Sequence, residues 1–360
     1  MTPVASFKRR HLRAQVGLIG VLVALAHGAE PERAQSSGRP SASPGQVDTL
    51  RSVAGLPPAI VGQFRDPLGF HQAAGGEYFV FDRRGHSVYE VDAAAASVRT
   101  LVQIGGEDGR IIEPRGFGLH PTGTFAVADA PNGRERIQFF GHGGSRLGGF
   151  FLPGRALARL SIGGLSLSGV GTLAFTGTTV LINQPETGAL ITEYTLDGTP
   201  VRSIGGLRTT GQESDRDVHL AMNASIPLVD PTGGFYVVFQ AGTPMFRKYD
   251  AAGALVFERV MQGRELDPLI ADTPMRWPRR TVNDSEIPLI VPNVRTAAVD
   301  SSGQLWVAFT IPFTYVFDER GEKIRTVQFR AGGIVSPTSL AFTGRGRLLV
   351  TPGCFEFEPR

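Results

Sequence analysis

Glu113-Pro-Arg-Gly-Phe117 is followed by a Thr122-Gly123 turn, then by Phe125-Ala-Val-Ala-Asp129 and Arg136-Ile-Gln-Phe-Phe140. This reads as a short strand, a tight glycine turn, a β-rich strand ending on a polar residue, and a third strand. The same order stands 47 residues earlier: Asp66-Pro-Leu-Gly-Phe70, Gly75-Gly76, Tyr78-Phe-Val-Phe-Asp82 and Ser87-Val-Tyr-Glu-Val-Asp92. Four looser copies follow. Their central strands are Val180-Leu-Ile-Asn183, Phe235-Tyr-Val-Val-Phe-Gln240, Leu305-Trp-Val-Ala-Phe-Thr310 and Arg347-Leu-Leu-Val-Thr351. A strand-rich unit recurring every roughly 40 to 70 residues is the signature of a propeller, one four-stranded sheet per blade. The expectation is an all-β fold: a six-bladed β-propeller of four-stranded antiparallel blades. A pair of β-sandwiches with repetitive turns is the alternative.

The two clearest units resemble the NHL repeat. That family's wording is a Pro-x-Gly start, an apolar-x-Asp/Asn-Gly turn, a strand ending in aspartate, and a basic-Ile-x-x-Phe strand. Asn132 and Arg136 fall where the repeat has its loop asparagine and following basic residue. The other units depart, with Asn183, Gln240, Thr310 and Thr351 in place of the aspartate. The resemblance covers about residues 60–358 and implies a fold, not a chemistry. The last unit ends with room for three strands, whereas residues 48–64 carry β-type sequence without a unit of their own. An N-terminal strand that becomes the outer strand of the last blade closes the ring and removes the exposed sheet edges at its seam.

The segment before the repeats has the three parts of a secretory signal. Lys8, Arg9, Arg10 and Arg13 precede an apolar core, Ala14 to Ala26, and small residues follow around Gly28. The core is short for a bilayer span, so residues 1–28 read as a cleaved signal peptide rather than an anchor. The expected location is periplasmic or extracellular, by the general secretory or twin-arginine route. Residues 29–47 are polar and rich in Pro, Ser and Ala, which suits a disordered tether ahead of a propeller domain at 48–360. Removing the four basic residues of the signal leaves 32 of the 36 against 33 acidic ones, a net charge near −1. With no basic run on that background, a nucleic-acid partner is not expected. Cys354 is the only cysteine, which excludes an intramolecular disulfide and makes it a small core residue.

Catalytic constellations are sparse. His71, His86, His120, His142 and His219 lack the spacing of a metal site, and neither a Gly-x-Ser-x-Gly elbow nor a phosphate loop is present. No metal and no cofactor are expected. Second strands end on Asp82, Asp129, Asn183, Gln240, Thr310 and Thr351. These read as turn closers bonding backbone N–H groups, or else as a polar ring at the channel mouth.

The positions where each first strand enters the channel are Leu68, Arg115, Gly169, Ser225, Arg295 and Thr338. Arg115 and Arg295 belong to blades two and five, opposite one another in a ring of six. Two converging guanidinium groups repel unless an anion, or carboxylates such as Asp66 and Glu113, stand between them. Two insertions, residues 205–224 and 262–294, read as lids or binding loops. Within the second, Trp277 among Arg276, Arg279 and Arg280 is a candidate recognition residue, with Arg279 beside it. The function expected is an exported binding or interaction scaffold. Its ligand is a small anionic molecule, a peptide or an envelope protein at the channel mouth. A propeller hydrolase or lyase similar to the gluconolactonases is the alternative, although the entries here are Arg, Ser, Thr and apolar rather than the Glu, Asn and Asp that hold metal in that group.

Overall fold

The computed structural model describes residues 46–153, 158–162, 165–168, 172–274, 276–282 and 285–359. The expected signal peptide and most of the expected tether lie outside these residues. The chain enters with strand β1 (Val47–Gly55) and a short helix α1 (Pro58–Val61). Unit one follows as β2 (Pro67–Gln72), β3 (Tyr78–Asp82), β4 (Ser87–Val91) and β5 (Val98–Val102). Unit two is β6 (Gly116–Leu119), β7 (Phe125–Asp129), β8 (Arg136–Phe140) and β9 (Arg146–Phe151). A hairpin of β10 (Ala158–Ile162) and β11 (Leu165–Ser168) then precedes unit three: β12 (Leu173–Phe175), β13 (Thr179–Asn183), β14 (Ala189–Thr195) and β15 (Pro200–Gly206).

Helix α2 (Arg216–Met222) leads into unit four, which is β16 (Ser225–Val229), β17 (Phe235–Phe239), β18 (Met245–Tyr249) and β19 (Leu255–Val260). Helix α3 (Asp267–Ala271) and a hairpin of β20 (Arg279–Val282) and β21 (Ser285–Pro288) separate it from unit five. That unit is β22 (Val294–Val299), β23 (Leu305–Phe309), β24 (Thr314–Phe317) and β25 (Lys323–Ala331), with a short β26 (Gly333–Val335) on its edge. Unit six is β27 (Ser339–Phe342), β28 (Leu348–Thr351) and β29 (Phe355–Phe357).

Units one to four are separate four-stranded antiparallel sheets, each a simple up-and-down meander. Units five and six are not separate sheets. Strand β1 joins them, pairing antiparallel with β29 through Ser52–Gly55 and parallel with β25 through Val47–Arg51. It is thus the outer strand of the last unit, as expected. The parallel pairing was not expected, and it makes a nine-stranded sheet in the order β22-β23-β24-β25-β1-β29-β28-β27, with β26 beside β25.

Second strands are buried over all or all but the first of their residues, as in the all-buried run of Phe125–Asp129, because a neighbouring unit covers each face. The outer strands of units one to four are more exposed, as in Leu255–Val260, where exposed and half-buried residues alternate after Leu255. Apolar side chains from consecutive units interdigitate at each seam: Phe79 and Phe81 with Phe125 and Phe140, Ile137 and Phe139 with Leu173 and Ile182, Leu181 and Ile204 with Val237 and Phe239. Farther along, Phe246 and Val238 meet Phe309 and Phe317, and Trp306 and Phe329 meet Leu348 and Val350. The last seam returns to the start, with Leu349 and Cys354 of unit six against Phe70 and Val80 of unit one. This is a propeller-like arrangement with a closed succession of contacts. Burial pushes the Cys354 thiol up to about 12, so it packs as an inert apolar group.

The glycine turns are required by geometry. Gly123 has φ of 85°, and a Cβ there would strike the His142 ring as well. Among the described residues no helix is long and apolar enough to cross a membrane.

Candidate functional site

The first strands of all the units converge on one cavity of about 260 Å³. Its wall takes Leu68, Gly69 and His71 from β2, Gly116 and Phe117 from β6, and Leu173 from β12. Ile226 and Leu228 come from β16, Thr296 and Ala297 from β22, and Ser339 and Leu340 from β27. Pro227 of β16 and Phe81 of β3 line it too, as do residues at the starts of first strands or the ends of second strands: Asp66, Arg83, Arg115, Thr172, Gln240, Arg295 and Thr338. The charged groups therefore gather near the starts of the first strands, and the wall along the strands is mainly apolar, with His71, Thr296 and Ser339 among the apolar groups.

The structure brings Arg115 and Arg295 onto this one cavity, together with Asp66. The third cation, Arg83, was not anticipated. It holds Asp66 by donating from Nε at 2.9 Å and Nη2 at 2.7 Å to one carboxylate oxygen. Asp66 is thereby committed. Arg115 donates from Nη2 to Glu113 at 3.1 Å, but Glu113 is 58% exposed and outside the cavity wall, so this pair is screened by solvent. The Nε atoms of both Arg115 and Arg295 are buried without a hydrogen-bond partner. No carboxylate among the described residues comes within ion-pair distance of Arg295. Three guanidinium groups thus face the cavity with a single lining carboxylate.

Of the other entry positions, Leu68 and Thr338 line the cavity as expected, and Gly169 lies outside the described residues. Ser225 is buried, with its Oγ accepting from Asn183 Nδ2 at 2.8 Å. His71 is the titratable group on the apolar wall. Its ring sits 5.3 Å from that of Phe117, and burial lowers its pKa to about 4, so it is neutral near pH 7. Counting along the strand misses this residue because the β2–β3 register shifts between Pro67 and Gly69, which changes the parity of the side chains that follow.

The polar ends of the second strands act mainly on the backbone. Asp82 accepts from the N–H groups of Arg65, Asp66 and Gly85 at 2.8 to 2.9 Å. Asp129 accepts from Ile112 N–H at 3.1 Å and is bridged to Arg136 at 2.6 Å. Gln240 is the one of the six that also lines the cavity.

Neither Trp277 nor Arg279 reaches the cavity. Trp277 packs, partly buried, on a satellite cluster of Leu160, Val218, Ala221, Met222, Ala241 and Ile290. Arg279 is held by Asp215, with Nη2 2.7 and 2.5 Å from the two carboxylate oxygens. The cluster unites both long insertions with a third, the β10–β11 hairpin, which the repeat spacing did not reveal. No described residue of 205–224 or 262–294 is among those lining the cavity.

Among the described residues no group of three or more His, Cys, Asp or Glu side chains is placed to hold a metal ion. A scan against protein-family models gives no match, and neither does a search of curated proteins.

Proposed function

We propose that this chain is an exported, six-bladed, NHL-like propeller that binds a small anionic ligand in its central cavity. The six-blade count takes the nine-stranded sheet as two blades stitched together by β1. Export rests on the basic and apolar segments of residues 1–28. Binding rests on one observation: Arg295 lines the cavity with a buried, unpartnered Nε, and no carboxylate among the described residues lies within ion-pair distance of it. An arginine cannot relieve that situation by losing its proton. A carboxylate or phosphate entering the cavity would supply both the missing acceptor and the missing charge, in surroundings less screening than bulk water.

The test is calorimetric titration of phosphate and of mono- and dicarboxylates into the wild type and Arg295→Met. Methionine keeps most of the stem volume and removes the charge. The expected result is binding by the wild type that falls at least tenfold in the variant, whose melting temperature is unchanged or higher. Absence of binding by every anion in the wild type, with a clear loss of stability in Arg295→Met, would make the arginine a scaffold residue instead.

A further inference from the structure

We infer that the cavity selects an amphiphilic monocarboxylate, an anionic head on a short alkyl or aryl body, over compact dianions such as phosphate or succinate. This rests on the anion-binding reading above and goes further by naming the class of ligand. The cavity is two-sided in chemistry. Its charged groups, Arg83, Arg115 and Arg295, are confined to the ends of the strands. Two of these cations already have carboxylate partners in Asp66 and Glu113. Arg83 is committed to Asp66, and Arg115 is partly offset by the exposed Glu113, which leaves Arg295 as the cation with no carboxylate among the described residues within ion-pair distance, a need that one carboxylate head meets.

The rest of the wall is mainly apolar, with Phe117, Leu173, Ile226, Leu228, Ala297 and Leu340, and apart from His71 its polar side chains are uncharged hydroxyls and one amide, as in Thr296, Ser339 and Gln240. It offers a second dianion charge no further cation. His71, the titratable side chain on that wall, is neutral near pH 7 and lies against the Phe117 ring. At about 30 Å³ for each water-sized group, 260 Å³ holds about nine such groups. Benzoate and hexanoate are of that size. Burying one methylene against such a wall corresponds to about a fourfold gain in affinity, at ~0.8 kcal/mol each.

The experiment titrates butyrate, hexanoate, benzoate, succinate, phosphate and hexanol into the wild-type chain at neutral pH, and then hexanoate into Arg295→Met. Hexanoate is expected to bind at least tenfold more tightly than butyrate and than either dianion. Hexanol should bind at least tenfold more weakly than hexanoate, and Arg295→Met should erase that preference. Succinate or phosphate binding as tightly as hexanoate would overturn the amphiphile while leaving the anion site intact. Hexanol matching hexanoate would instead remove the role of charge and overturn both. Since the decisive comparisons are made within the wild type, a poorly folded variant would not blur the outcome.

Discussion

Single residues here hold charge in two contrasting ways. Asp129 and Arg136 are both almost fully buried and bridged at 2.6 Å, and Arg136 also donates to the carbonyls of Gly106 and Arg110. Burial pushes the Asp129 carboxyl up, with the bond from Arg136 opposing. Removing one partner of such a pair leaves the other charge stranded. Arg136→Met is therefore expected to cost about 3–5 kcal/mol in urea denaturation at pH 7. The cost should shrink at acid pH, where Asp129 can take up a proton. His71 gives a second pH signature. Its folded pKa of about 4 lies below the ordinary 6.5 of an unfolded histidine, so the unfolded chain binds more protons between the two values. Stability is then full above pH 6.5 and falls as the pH drops towards 4, by at most about 3 kcal/mol from this group. Melting curves of His71→Gln should show a shallower acid limb and little change at pH 7.5. An unchanged acid limb would mean that the ring is charged and solvated.

Among the elements, β1 has the widest consequences. Its first half extends the edge of unit five and its second half completes unit six. Leu50 drops into the core between them, and Asp48 accepts from Arg325 Nε at 2.8 Å. Deleting residues 1–58 should lower the melting temperature by many degrees relative to a chain beginning at residue 45. Coincident melts would mean that β1 is only decoration. The sequence carried this strand's existence and its place in the last unit, because a unit with three strands advertises a missing fourth. It did not carry the parallel pairing with β25, since residues 47–51 have nothing that distinguishes one edge partner from another. The site was legible to a similar depth. Arg115 and Arg295 could be placed by counting equivalent positions, whereas Arg83 hangs from a turn and His71 depends on a register shift. Trp277 reads as a recognition residue from its arginine-rich surroundings, with Arg279 as a binding candidate beside it. Their partners, α2 and Asp215, stand some 60 residues away and cannot be paired with them by local pattern.

In the molecule as a whole, no unit buries both of its faces without two neighbours. Phe125 is buried between units one and two, stacked on Phe140 with ring centres 5.0 Å apart and tilted against Phe79 at 5.8 Å. Phe246 plays the same part between units four and five, 4.8 Å from Phe317. Truncating either to alanine is expected to cost about 3–5 kcal/mol. Because the seams form a closed succession, the loss should appear as one cooperative transition, with near-ultraviolet and far-ultraviolet circular dichroism melting together. Separate transitions would show that the units stand independently.

Strand β1 also imposes an order in time. It is synthesised before every unit, yet its partners, Thr326–Arg330 and Phe355–Phe357, come about 280 to 305 residues later. Until they emerge, Val47 to Gly55 has no edge to join, and unit one has no unit six to cover Phe70 and Val80. Contacts this distant along the chain are slow to form. Until those residues are made, the growing chain can close neither the seam between units six and one nor the two edges that β1 joins.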